Sequence, residues 1–264
     1  MSRLNRLTIL AFTALGASNG GQLLSPGCAL SAQVRRMQPT VIARARQLVV
    51  VTTPDWDNTT GTLRRFTRES AKGAWQSASA PIPVVVGRTG LAWGLGFDRD
   101  ADAGAPHKHE GDGRSPAGAF PLDTVFGFAL PAEMSSVRMP YAQLTPASDC
   151  VDDTTSAHYN TVVSRAAGPV DWSSAEHMRS VWQYEIGVIV GYNATPPRRG
   201  RGSCIFLHIW NGPASTTAGC TAFDRDALRQ LIGWLDAPKH PVLVQLPAAE
   251  YARLEGTWTL PRLE

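Results

Sequence analysis

His208 and Cys220 stand close together late in the chain, inside the run C-I-F-L-H-I-W-N-G-P-A-S-T-T-A-G-C-T-A-F at 204–223. A thiol is mostly protonated at neutral pH and becomes a nucleophile when a base or cation lies beside it. The apolar run Ile205-Phe206-Leu207 delivers the imidazole, and a loop rich in glycine and threonine, ending Thr217-Ala218-Gly219-Cys220, delivers the thiol. Base and nucleophile on neighbouring backbone segments are what acyl transfer through a thioester requires. Gly219 leaves no Cβ beside the thiol, so a substrate carbonyl can approach the backbone. Amides near Gly219 and Cys220 are candidate donors to the oxyanion, and the Thr217 hydroxyl is placed to orient substrate or imidazole.

Other polar clusters point to less. In His107-Lys108-His109-Glu110 the two histidines lie two apart in a loop with no further ligands at metal spacing, so no metal is predicted, and no cofactor is implied. Tyr159-Asn160 and Trp210-Asn211 are candidates to line a groove, and Trp93, Trp172, Trp182 and Trp234 read as core or cleft wall. The net charge is +3, and the basic residues are dispersed apart from Arg198-Arg199-Gly200-Arg201. No basic stripe argues for nucleic acid.

The elements that must hold the thiol begin after an N-terminal leader. Arg3 and Arg6 precede an apolar stretch at 7–17 that is too short to span a bilayer comfortably. We read 1–32 as an export signal and leader, cleaved after Ser31 or Ala32 or near Ser18, leaving a chain that is not transmembrane. Cys28 lacks the aliphatic residue that lipidation wants three positions earlier, where Ser25 stands. Export implies an oxidising space, the periplasm or cell-wall space. Of the remaining Cys150, Cys204 and Cys220, the first two are the natural disulfide if Cys220 works as the nucleophile. That bridge closes a loop of roughly 55 residues, worth on the order of 4 kcal/mol in the chain-entropy description.

From Gln47 onward the pattern is β, in short strands about ten residues apart divided by Gly and Pro. Strands are expected at 48–52, 61–69 with Leu63 and Phe66 inward, 75–79, 83–86, 181–192, around His208, and at 241–246 to close the sheet. An exposed loop at 101–114 borders the site. Asp224 is a good N-cap, and Ala227, Leu228, Leu231, Ile232 and Leu235 fall at helical spacing, so one helix follows the cysteine. The expected fold is mainly β, a sandwich or barrel with a few short helices. The catalytic domain covers 47–247, and 248–264 is a C-terminal tail.

Two segments carry a resemblance. G-D-G-R-S-P-A-G-A-F at 111–120 is similar to the G-x-[ST]-P-x-G-x-[FY] element, and His208 followed by Thr217-x-Gly219-Cys220 to the H…[ST]-H-G-C signature, of the YkuD-type L,D-transpeptidases. The resemblance spans roughly 47–246 and implies a divergent branch, with Ala218 where the family has a second histidine, Ile209 where Gly or Ser is usual and Ala222 in place of a polar residue. It implies Cys220 as nucleophile, His208 as base, Gly219, Thr217, Arg114 and Trp210 as substrate-binding residues, and peptidoglycan stem peptides as partners. Arg114 would meet a substrate carboxylate. The implied activity is formation of 3-3 cross-links through a thioester. The alternatives are an L,D-amidase or carboxypeptidase that uses water as acceptor, and a non-catalytic wall-binding module. The third catalytic member has no assignment in the sequence.

Overall fold

The computed structural model describes residues 39–97, 100–102 and 104–263. The predicted leader at 1–32 and Cys28 lie outside the described residues. Helix α1 (Thr40–Arg44) precedes strands β1 (Gln47–Thr53), β2 (Thr60–Thr67), β3 (Gln76–Ser77), β4 (Ile82–Val85), β5 (Leu91–Trp93) and β6 (Ser115–Gly127). After these come β7 (Tyr141–Gln143), β8 (Ser148–Val151), β9 (Val162–Ser164), β10 (Ala175–His177), β11 (Ile186–Val190) and β12 (Phe206–Ile209). The chain ends with β13 (Thr221–Phe223), α2 (Arg225–Trp234), β14 (Val242–Pro247) and α3 (Ala248–Trp258).

Eight strands close into a barrel in the order β1-β14-β6-β11-β12-β13-β4-β2, and β2 returns to pair with β1. Closure follows from the composition of these strands. β1 and β14 are buried along nearly their whole length, as strands with no free edge and a covered outer face must be. β8, β9 and β10 form a separate small sheet in the order β10-β8-β9.

Two apolar clusters divide the interior. The main one fills the barrel and includes Leu63, Phe66, Leu207, Ile209 and Phe223. The second lies on the other face of the same wall and gathers Phe126, Tyr184, Phe206, Cys150, Cys204 and Cys220. Strand alternation explains the split, since odd and even positions of β12 face opposite sides. The thiol therefore sits outside the barrel proper, in the layer beneath the small sheet.

Three sequence-based expectations change. The single strand expected at 181–192 is a 3-10 turn, Trp182–Tyr184, followed by the shorter β11. The turn swings Tyr184 into the second cluster and leaves Trp182 48% exposed, neither core nor cleft wall. The helix after Cys220 forms as its N-cap predicts, with the Asp224 carboxylate accepting from the amides of Asp226 (2.9 Å) and Ala227 (3.1 Å). Residues 248–264, expected as a tail, carry α3, whose Tyr251, Leu254 and Trp258 are buried in the main cluster. Their i, i+3, i+7 spacing is the helical signal the tail reading passed over.

The Trp258 ring lies 5.4 Å from that of Phe97, which meets Trp93 at 6.1 Å and Phe120 at 5.7 Å. Trp258→Ala is therefore expected to cost about 3–5 kcal/mol, the range for deleting a fully buried indole, read as a lower urea midpoint. An unchanged midpoint would mean that α3 is dispensable.

Candidate active site

β12 and β13 run parallel, with Leu207 opposite Thr221, His208 opposite Ala222 and Ile209 opposite Phe223. Cys220, one residue before β13, thus falls beside Phe206, whose amide donates to its Sγ at 3.3 Å. The thiol in turn donates to the Cys204 carbonyl at 3.4 Å. His208 lies two residues further along the neighbouring strand, on the same face as Cys220. Cys150 and Cys204 are joined in a disulfide, and Cys220 is the free cysteine among the described residues.

Hydroxyl groups lock the cysteine loop. Ser115 Oγ, fully buried, donates to the Cys220 carbonyl at 2.8 Å and accepts from the Gly87 amide at 2.9 Å. Thr217 Oγ1 donates to the same carbonyl at 2.6 Å and accepts from the Gly219 amide at 3.1 Å. Thr217 therefore shapes the turn, and the Gly219 amide is committed to it and is not a free oxyanion donor. A Cβ at Gly219 would lie 3.2 Å from the Arg114 carbonyl and 3.3 Å from Ile205 Cδ1, so glycine lets the two segments close. The two stretches that carry the resemblance, far apart in sequence, meet at this point.

Ser115→Ala leaves a buried amide and weakens the hold on a carbonyl. We expect a loss of about 1–3 kcal/mol, the cost of a stranded buried polar group. Chemical denaturation would measure it, and a loss below about 0.5 kcal/mol, the usual surface-substitution level, would deny the hydroxyl this role.

A cavity of about 180 Å³ opens at the thiol, walled by Ala218, Gly219 and Cys220. Charged groups face it: Arg88, Lys108, Glu110, Asp152 and Glu176. Most are held by neighbours. Lys108 Nζ, buried, donates to Asp112 Oδ1 at 2.5 Å and to the His109 carbonyl at 2.9 Å. Glu110 Oε2 accepts from Tyr159 Oη at 2.5 Å and Ser203 Oγ at 2.8 Å. Glu176 Oε2 accepts from Tyr184 Oη at 2.5 Å. Larger clefts of about 480 and 670 Å³ lie elsewhere and contain no cysteine, so volume alone does not select the site.

Burial dominates the titration of the cluster. It pushes the Cys220 thiol far above its ordinary range, and the Glu176 carboxylate adds to this, while the Phe206 amide, the Tyr184 hydroxyl and Lys108 pull the other way. Burial likewise raises Glu176 and Tyr184. The resting thiol is therefore neutral, and the substrate or a proton acceptor must help to ionise it.

His208 is pushed down to about 4 by burial, against a smaller upward pull from the Ile209 carbonyl. Its Nδ1 lies 2.8 Å from that carbonyl oxygen. A carbonyl can only accept, so Nδ1 carries the proton and Nε2 keeps the lone pair. The ring meets Tyr184 edge-on at 5.3 Å between centroids.

A histidine buried neutral must gain a proton when the fold opens. Between the ordinary value of 6.5 and about 4 the unfolded chain binds more protons, so His208 makes stability fall as pH drops through that window. His208→Gln should flatten this part of the stability–pH curve. Equal slopes in wild type and variant between pH 6.5 and pH 4 would contradict the assignment.

Two residues expected to bind substrate lie elsewhere. Arg114 turns away from the cavity, donating to the carbonyls of Trp56 (3.1 Å) and Leu91 (2.7 Å) and pairing with Asp57 at 2.7 Å. The carboxylate it meets is the chain's own. Trp210 packs against the main cluster and is not part of the cavity wall. Tyr159 and Asn160 are structural: Asn160 Oδ1 accepts from the Cys204 amide at 2.9 Å, and its Nδ2 donates to the carbonyls of Tyr192 and Asn193. Among the described residues no group of three or more His, Cys, Asp or Glu side chains is placed to hold a metal ion.

Sequence reasoning missed Glu176 and Tyr184. No motif marks either, and the fold brings Glu176 to the cavity wall beside Cys220 and Tyr184 into the cluster around it. Glu176 stands opposite Cys150 in the β8–β10 ladder, and Tyr184 is turned inward by the 3-10 turn. Compared with known protein families, curated proteins and solved structures, the chain matches none.

Proposed function

We propose that the protein is an exported cysteine acyltransferase that remodels peptidoglycan, with Cys220 as nucleophile and His208 two residues along the neighbouring strand. The observation that supports this best is the free Cys220 in the wall of a cavity that charged side chains also line, its loop tied by Ser115 to the second segment that resembles the L,D-transpeptidases. The thiolate attacks the carbonyl of the L-centre in a stem tetrapeptide and expels D-Ala. The thioester then passes its acyl group to the side-chain amine of a second stem, forming a 3-3 cross-link. With water as acceptor the same intermediate gives an L,D-carboxypeptidase or amidase.

Incubation of the purified protein with disaccharide tetrapeptides separates these outcomes. New dimers mean transfer, and trimmed monomers mean hydrolysis. Unchanged substrate, together with no mass gain at Cys220 on treatment with a carbapenem acyl donor, would leave only a wall-binding module. No helix among the described residues is long and apolar enough to cross a membrane. Export is the reading of the 1–32 leader, and a disulfide is compatible with an oxidising space.

A further inference from the structure

Two groups stand against the thiol that a simple Cys–His pair would not need. Tyr184 packs in the same buried cluster as Cys220, its ring 5.4 Å from that of Phe206, whose amide donates to the thiol, and its Oη donates to Glu176 Oε2 at 2.5 Å. Glu176 shares the cavity wall with Cys220, and His208 is not part of that wall. The disulfide clamps this geometry, because Cys150 stands across the ladder from Glu176 while the Cys204 carbonyl accepts from the thiol.

We propose that Glu176 is the proton acceptor and donor of the thioester chemistry, reached from Cys220 through the Tyr184 hydroxyl, with His208 holding the Tyr184 ring in place. The inference rests on the reading of Cys220 as an acyl-transfer nucleophile. In the resting state the thiol is neutral and Tyr184 donates to the carboxylate. During attack the thiol proton passes to the Tyr184 oxygen as the Tyr184 proton passes to Glu176. The sulfur electron pair forms the S–C bond, and the carbonyl π pair moves to oxygen. When the adduct collapses, the C–N pair leaves with the amine nitrogen, which takes the proton from the Glu176 carboxyl. The second acceptor, amine or water, returns a proton to Glu176 as it bonds to the thioester carbon. Sulfur departs with its electron pair and is reprotonated through Tyr184.

This arrangement makes Tyr184 a two-way contact. As the thiol proton leaves the Cys204 carbonyl, Tyr184 Oη takes it up while Glu176 is ionised, and Tyr184 donates to the thiolate once Glu176 holds the proton. The other charged groups that face the pair are Asp152 and Glu110, which act on Glu176, Lys108, which acts on Cys220, and Arg88 in the cavity wall.

The test uses two probes across pH on the full-length protein: carbapenem acylation followed by intact mass, and alkylation of Cys220 by iodoacetamide. Glu176→Gln should slow acylation about 100-fold, the lower end of what a general base contributes. Its alkylation midpoint should nevertheless move to lower pH, because the carboxylate that opposes the thiolate is gone. Tyr184→Phe should slow acylation similarly and move the alkylation midpoint up, because the thiolate loses its donor. Acylation of Glu176→Gln at the wild-type rate or faster would overturn the relay and leave Glu176 as a mere negative charge. If wild type alkylates but never acylates, the acyltransfer reading fails, and the opposed midpoint shifts of the two variants still decide whether the thiol, Tyr184 and Glu176 are coupled.

Discussion

Replacing Cys220 with alanine is expected to abolish carbapenem acylation and to lower conversion of stem peptides by 10³-fold or more, on the order of the loss that follows removal of an acyl-enzyme nucleophile. No other thiol among the described residues can substitute, since Cys150 and Cys204 are bonded to each other. The fold should survive. The carbonyl of residue 220 is what Ser115 and Thr217 hold, and it is unaffected by the side chain. The deleted sulfur leaves a small void and a buried Phe206 amide without its acceptor, at a cost of about 1–3 kcal/mol. Cys220→Ser sharpens the test by restoring volume and polarity without a group that ionises readily. If either variant still converts muropeptides with an unchanged urea midpoint, the thioester mechanism is wrong.

Removing the Cys150–Cys204 bridge in a double alanine variant should have a large effect on both stability and activity. The cross-link joins residues 54 apart. The entropy it takes from the unfolded chain corresponds to about 4 kcal/mol, a large share of the about 5–15 kcal/mol that holds a typical domain folded. The loss should not be confined to stability. Without the bridge the small sheet that carries Glu176 is tied to the barrel wall by packing and by hydrogen bonds such as Tyr184 Oη to Glu176, and acylation of Cys220 should slow even below the unfolding temperature. Equilibrium denaturation and intact-mass kinetics on one preparation would show both. A midpoint loss of under about 1 kcal/mol, the ordinary single-mutation scale, would mean that the bridge does not constrain the unfolded chain as this account requires.

Much of the fold could be read from local pattern because each signal was local. The β-branched run at 48–52, the inward Leu63 and Phe66 and the Asp224 cap all depend on near neighbours in sequence, and all three appear in the structure as read. The disulfide came from counting cysteines. The candidate site was legible only where its members lie on one stretch. Arg114 read as a free cation because its partner Asp57 lies on the loop after β1. Glu176 and Tyr184 gave no signal because a short turn and a cross-strand neighbour place them, and neither has a periodicity. The tail reading of 248–264 failed for a plainer reason. Polar Glu250, Arg253 and Glu255 obscure the stripe of Tyr251, Leu254 and Trp258 that α3 buries.

The parallel pairing of β12 and β13 has a consequence for how such a site can diversify. A chain leaving one strand and entering the next in the same direction has to travel back alongside it before it re-enters the wall. Four strand residues rise only about 13 Å, so the stretch between Ile209 and Thr221 is slack rather than taut. Its second half is stitched to the end of β4, through Thr217 and Val86, and its first half turns at Gly212. Length added near Gly212 would bulge outward and leave the strand register untouched. The number of residues between imidazole and thiol is thus a free variable of the architecture. Relatives could grow a taller rim over the substrate there without moving a reacting atom.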